Sequence, residues 1–201
     1  MQVFTLPLGA LQTNCYILVS EKKALVIDPA DSHLQILALL QKEGLLLEGI
    51  LLTHCHFDHM GGVDALAEAS GAPLYCPEKD AVGLTDEDRN ASRYFGEGLS
   101  LKTLPTRLLK EGDEITLGSE MLTVLETPGH TSGSVCYLAE NLLISGDTLF
   151  FRGYGRTDLP SGSDAKLYSS LKRLFCLEDR TVYPGHGPAT TLLKEKSFYG
   201  F

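Results

Sequence analysis

Short apolar runs separated by turn residues dominate the first fifty positions. Val3–Leu6, Cys15–Val19 and Ala24–Ile27 read as strands, Asp28-Pro29 closes the third, and Asp31 or Ser32 is placed to cap a helix reaching about Glu43. Gly49–Thr53 has the unbroken hydrophobicity of a buried strand and empties directly into His54-Cys55-His56-Phe57-Asp58-His59, after which Gly61-Gly62 open another helix. From about Pro77 to Leu101 the chain is polar and broken by Gly83, Gly96 and Gly98, the pattern of an insertion or flexible cover. A second strand set follows at Ile115–Leu117, Met121–Glu126, Val135–Leu138 and Leu142–Ser145, with helices at about Asp164–Phe175 and Ala189–Lys196. Two strand-and-helix halves predict an α/β protein with two sheets sandwiched between helices.

At 201 residues the chain supports one substantial core, so a single domain over residues 1–201 is expected. Its 17 Lys and Arg against 26 Asp and Glu give a net charge of −9, which offers no footprint for nucleic acid or an anionic membrane. The N-terminal Met1-Gln2-Val3-Phe4-Thr5-Leu6-Pro7 has no basic region ahead of an apolar stretch, and nothing approaches the roughly 18 apolar residues of a membrane span. The five cysteines, Cys15, Cys55, Cys76, Cys136 and Cys176, are scattered without CxxC spacing, which disfavours a disulfide framework and reads as reduced core thiols. A soluble, cytoplasmic protein is expected.

The chemistry starts from the histidines. Five of the six fall in short loops directly after expected strands, beside glycine, proline or an acidic residue. His54 and His56 are two apart at a strand exit, so in extended backbone both rings project to one side and can chelate one ion. Asp58 and His59, where the chain turns toward Gly61, reach a second ion, metal pairs commonly lying about 3.5–4 Å apart. Thr127-Pro128-Gly129-His130, Ser145-Gly146-Asp147-Thr148 and Tyr183-Pro184-Gly185-His186 each present one further ligand from a tight turn, and Asp147 has two oxygens with which to bridge.

These residues in this order resemble the metallo-β-lactamase superfamily, over nearly the whole chain. Thr13-Asn14-Cys15-Tyr16, Val26-Ile27-Asp28-Pro29, Gly146-Asp147-Thr148-Leu149-Phe150 and Gly155-Arg156-Thr157-Asp158 resemble its hydroxyacylglutathione hydrolase (glyoxalase II) branch, in the short single-domain form. The resemblance implies an αββα four-layer sandwich of two mixed sheets flanked by helices. It also implies two divalent metal ions, zinc first with iron or manganese as alternatives: His54, His56 and His130 on one, Asp58, His59 and His186 on the other, Asp147 bridging. A water between the ions, deprotonated near neutral pH, attacks a carbonyl that the metal polarises, with Asp58 orienting it. A small-molecule thioester is the expected substrate, because a thiolate of pKa about 8.5 leaves without a dedicated general acid.

Arg152, Tyr154 and Arg156, in the loop after Asp147, are candidates to hold a substrate carboxylate, or are simply a solvated loop. The chain ends soon after His186, where full-length glyoxalase II enzymes append a glutathione-binding helical region, and Asp158 stands near where that family often has an aromatic residue; both leave the thiol carrier open. His33, near a helix N-terminus, is assigned no function. Asp28 either closes a strand or fixes a ligand histidine's ring. Alternation points the Cys55 thiol away from the ligands. The alternatives to a thioesterase are a persulfide (sulfur) dioxygenase with one iron on His54, His130 and Asp147, and a metal-stabilised binding module without turnover. A β-lactamase is disfavoured by the lack of an export signal, and a flavodiiron-type redox role by His56, where those proteins carry a glutamate. The sequence leaves the oligomeric state open.

Overall fold

Strand β2 (Thr13–Ser20) explains the layering: Cys15, Ile17 and Val19 pack on one side with helix side chains, while Tyr16 and Leu18 face the other way, between two sheets. A strand buried on both faces has no polar alternation to show, hence the continuous apolar run. The structure, a computed structural model, describes residues 1–200.

The first sheet joins β1 (Gln2–Leu8), β2, β3 (Lys23–Ile27), β4 (Leu46–Leu51), β5 (Leu74–Pro77) and β6 (Arg107–Leu109) in that order, antiparallel up to β3 and parallel from there on. Helices α1 (His33–Glu43) and α3 (Val63–Ser70) cover its outer face, contributing Ile36, Leu40, Val63 and Leu66. The second sheet has the order β12-β11-β10-β9-β8-β7, built from β7 (Glu114–Leu117), β8 (Glu120–Glu126), β9 (Val135–Leu138), β10 (Leu142–Gly146), β11 (Thr181–Pro184) and β12 (Thr190–Thr191). Only β10 and β11 are parallel there. Leu167, Leu171 and Leu174 of α5 (Asp164–Leu174) and Leu192 of α6 (Leu192–Tyr199) close its outer face. The result is the expected αββα sandwich, with Leu25, Ile27, Leu51, Leu122, Val124 and Ile144 in its central layer.

The differences from expectation are local. Ser32 is the N-cap residue of α1 but sits at φ 33° and makes no side-chain cap; Asp31 Oδ1 instead accepts the Ser32 N–H at 2.6 Å. The last helix begins at Leu192 because Thr190 and Thr191 pair with β11. The Pro77–Leu101 stretch is tied down: Glu78–Leu84 is a 3-10 segment, α4 spans Ser92–Phe95, and buried Asn90 donates to Gly83 O at 3.0 Å and Leu99 O at 2.8 Å. All five cysteines are free; Cys176 is exposed, unlike the other four. No helix among the described residues is long and apolar enough to cross a membrane.

Candidate metal centre

The ligand-bearing turns leave the C-terminal ends of β4, β8, β10 and β11, the edge at which open α/β sheets gather ligands. After β4 the backbone bends at Thr53 and His54 and is extended at His56 (φ −66°, ψ 144°), then the single turn α2 (Phe57–Met60) folds Asp58 and His59 back toward the same point. Two bonds between the sheets hold this edge together: Val135 N–H donates to Thr53 O at 2.9 Å, and Asn14 N–H to Gly185 O at 2.7 Å. Gly185 must be glycine, since a Cβ there would collide with the Asp147 carboxylate.

Four imidazoles are oriented by an oxygen on Nδ1. His54 Nδ1 lies 3.0 Å from Thr53 Oγ1, His59 Nδ1 2.8 Å from Asp28 Oδ2, His130 Nδ1 2.7 Å from Arg156 O, and His186 Nδ1 3.2 Å from Leu11 O. Fixing one nitrogen as donor leaves Nε2 with its lone pair turned inward, the usual support for a metal-binding histidine. His56 differs, its Nδ1 lying 2.8 Å from His130 Nε2. Three groups result, each with ligand atoms within 4.8 Å of one another: His54, His56 and His130; Asp58, His59 and His186; and His54, His59 and Asp147. Asp147 stands between the first two, Oδ1 3.3 Å from His59 Nε2 and Oδ2 3.4 Å from His130 Nε2 and 3.6 Å from His186 Nε2. The centre therefore assembles all seven expected ligand residues.

Burial holds His54 well below the ordinary imidazole range and His56 down to about 3. Burial also opposes charge on Asp58 and Asp147, yet His59 foremost, with His186 beside it, keeps both carboxyls below their usual values. Conversely Asp58 and Asp147 outweigh burial at His59 and raise it. His54 Nε2, His56 Nε2, His59 Nε2 and Asp147 Oδ1 are buried without a hydrogen-bond partner. Each such orphan costs about 1–3 kcal/mol, which protein folds rarely tolerate in a group of four. Inward lone pairs, two carboxylates and no thiolate fit a divalent cation of the zinc, iron or manganese kind.

Of the three expected substrate-holding residues, only Arg156 faces this centre, lining a cavity of about 340 Å³ with Leu11, Phe57, Phe95, Phe150 and Leu159. Arg152 sits at φ 52°, which turns the chain away; its guanidinium lies 5.2 Å from the Phe151 ring centre and 5.5 Å from that of Phe198. Tyr154 lines a different cavity, between α5 and α6. Asp28 proves to be a ring-fixing acceptor, and the Cys55 thiol points away from the ligands, toward Arg89 O at 3.8 Å. Sequence reasoning missed three supports. Thr13 Oγ1 donates to Asp58 Oδ2 at 3.0 Å, the Asn14 amide donates to Pro184 O and Gly187 O around the His186 turn, and Asp80 Oδ2 accepts from Cys55 N–H at 3.0 Å and Thr131 Oγ1 at 2.7 Å.

An αββα sandwich carrying this histidine and aspartate centre defines a metal-dependent hydrolase. The sequence profile of the Metallo-beta-lactamase superfamily matches residues 8–186, and the chain belongs to that superfamily. It is 39% identical to the Bacillus subtilis (strain 168) protein named "Probable metallo-hydrolase YqgX" over 95% of this chain and 92% of that one. It is 36% identical to a Methylobacillus flagellatus (strain ATCC 51484 / DSM 6875 / VKM B-1610 / KT) hydroxyacylglutathione hydrolase over 90% of this chain and 65% of that one. Among solved structures it is similar to BLEG-1 B3 metallo-beta-lactamase (TM-score 0.93, 37% identity, covering 98% of this chain and 97% of the other). TTHA1623 in a di-iron-bound form gives a TM-score of 0.87 at 40% identity, covering 97% of each chain. ETHE1 from Myxococcus xanthus gives 0.80 at 30% identity, covering 98% of this chain and 82% of that one.

Proposed function

We propose that this protein is a cytoplasmic thioester hydrolase with two divalent metal ions, one on His54, His56 and His130, the other on Asp58, His59 and His186, and Asp147 between them. One observation carries the reading: the carboxylate of Asp147 turns one oxygen toward His59 of one cluster and the other toward His130 of the other cluster. The ions supply, when bound, a water made nucleophilic near neutral pH and polarisation of the scissile carbonyl. Around them the chain's own groups orient and exclude. Thr13 Oγ1 donates to Asp58 Oδ2, the oxygen that also faces His186 Nε2 at 3.2 Å, and so fixes the carboxylate that would orient a bound water; Asp28 and Arg156 O fix the rings of His59 and His130. Phe57, Phe95 and Phe150 give the cavity an apolar wall against which a substrate's hydrocarbon groups can pack. No side chain is required to protonate a thiolate leaving group. A small-molecule thioester or related acyl substrate, with no nucleic-acid or membrane partner, is the reading consistent with the chain's net charge of −9.

A single-iron persulfide dioxygenase is the second reading, drawing on the 3.4 Å approach of His130 Nε2 and Asp147 Oδ2. It leaves His56, Asp58, His59 and His186 without a role. Likeness to BLEG-1, described as a B3 metallo-beta-lactamase, adds a β-lactam to the substrates worth assaying. The test is elemental analysis of protein purified without added metal or chelator, with turnover of a thioester panel including S-lactoylglutathione, of a β-lactam, and oxygen uptake on glutathione persulfide. About two ions per chain with thioester turnover is the expected result. One iron per chain with oxygen consumption overturns it in favour of the dioxygenase, and bound metal with no turnover leaves a binding module.

A further inference from the structure

The cavity over the metal centre is continuous with two others. One shares Leu11, Phe57, Asp58 and Phe95 with it; the other shares Phe95, Arg156 and Leu159. Together they form a trough whose walls beside the ligands are aliphatic and aromatic. Its charged margin is almost entirely acidic: Asp31 and Glu97 at one end, Asp158 at the other, and Arg156 the one cation among the lining residues.

That cation is already engaged. Arg156 Nε donates to Asp158 Oδ1 at 2.6 Å and Nη2 to Oδ2 at 2.7 Å, the two-pronged geometry that a substrate carboxylate would otherwise use. The pair is exposed and adds little to stability. Its effect on binding is the sum of two contributions: Asp158 competes intramolecularly for Arg156, by no more than the free energy of the pair itself, and its charge repels an incoming anion. Arg156 Nε–H and Nη2–H hold the Asp158 carboxyl down to about 2, so it stays ionised at every pH at which the centre keeps its metals. The backbone of Arg156 is itself pinned, its carbonyl accepting from His130, so a free guanidinium here would hold an anion beside the ligands.

We propose that Asp158 is a specificity-determining residue: by occupying Arg156 it restricts the trough to thioesters whose flanking groups are apolar and carry no carboxylate. This rests on the thioesterase reading and narrows it, pointing away from anionic acyl groups.

The test uses metal-loaded protein and N-acetylcysteamine thioesters, which share a neutral thiol and differ in the acyl group, hexanoyl against succinyl. Hexanoyl should be preferred in kcat/KM by about tenfold or more, and Asp158→Asn should move the succinyl-to-hexanoyl ratio about tenfold toward succinyl, the scale of a charge-assisted hydrogen bond. The double variant Asp158→Asn with Arg156→Gln should return the ratio to its wild-type value. Calorimetric titration with the matching thioethers, S-hexyl and S-(3-carboxypropyl) N-acetylcysteamine, reads the same preference without turnover. Equal or better handling of the succinyl group by wild-type protein, or a ratio unmoved by Asp158→Asn, overturns the proposal. Absence of all thioester turnover alongside the expected thioether preference sinks the thioesterase reading and leaves the specificity of the trough standing.

Discussion

Asp28 commits both carboxylate oxygens to the ligand loop, Oδ1 to Thr53 N–H at 2.8 Å and Oδ2 to Thr53 Oγ1 at 2.7 Å and His59 Nδ1 at 2.8 Å. Removing it frees the His59 ring to rotate and strips buried donors of their acceptor. Asp28→Ala should therefore weaken metal binding about 10–100-fold, the usual effect of losing a ligand's supporting partner. Competition with a chromophoric chelator measures this, and unchanged affinity would show that packing alone orients His59. The ligands themselves were legible because each follows a strand in a turn rich in glycine, proline or carboxylate. Of their supports only Asp28 was open to reading, as one of two alternatives; Thr13 meets Asp58 across 45 positions and Asp80 meets Thr131 across 51, separations that leave no local pattern. Arg152 and Tyr154 misled for a related reason. Proximity in sequence to Asp147 implied the same direction, but the left-handed turn at Arg152 sends them to α6.

At the level of elements, the four-residue β7 and β9 were readable because turn residues bound them, whereas β5, β6 and β12, of four, three and two residues, do not stand out from their surroundings. The 3-10 segment carrying Asp80 was read as part of a cover, yet it bonds to both the His54–His56 loop and the His130 turn. Asp80→Ala leaves the Cys55 N–H without its acceptor and removes that of Thr131 Oγ1, so it should lower unfolding stability by on the order of 3 kcal/mol. A loss of unfolding free energy smaller than about 1 kcal/mol in urea titrations would mean that water replaces the carboxylate. On the far side, Glu111 straps α5 to the second sheet, taking Arg173 Nη2 at 2.5 Å, Arg173 Nη1 at 3.0 Å and Glu126 N–H at 2.7 Å. The Arg173 guanidinium holds the Glu111 carboxyl below its ordinary value. A depressed carboxylate adds stability above its unfolded pKa and loses it as pH falls through the folded one. Glu111→Gln should thus cost stability at neutral pH and less near pH 3, with a difference under about 1 kcal/mol because the pair is half exposed. Urea titrations at the two pH values check it, and an equal loss at both would mean that the strap acts through packing.

Across the whole molecule, the centre joins two sheets that otherwise meet through a largely apolar layer and a few hydrogen bonds. His54 to His59 hang from the first sheet; His130, Asp147 and His186 hang from the second. Ions held by both sides bind the native state alone, so chelation should lower thermal stability, by about 2.7 kcal/mol if the metal stood at 100 times its dissociation constant. The two clusters should not empty together. Burial keeps His54 and His56 free of protons, His56 down to about 3, so an ion there displaces no proton from either ring. At His59 and His186 burial is outweighed by Asp58 and Asp147, their pKa values are raised, and a cation must displace protons to bind. Lowering the pH from about 7.5 should accordingly strip the Asp58, His59 and His186 cluster first and leave an intermediate with one ion on His54, His56 and His130. Metal content after dialysis at stepped pH, with anomalous scattering to place the remaining ion, decides the order. Loss of both ions in one step would mean that Asp147 couples them too tightly for separate titration, and earlier loss from the His54 cluster would reverse the assignment of proton affinities.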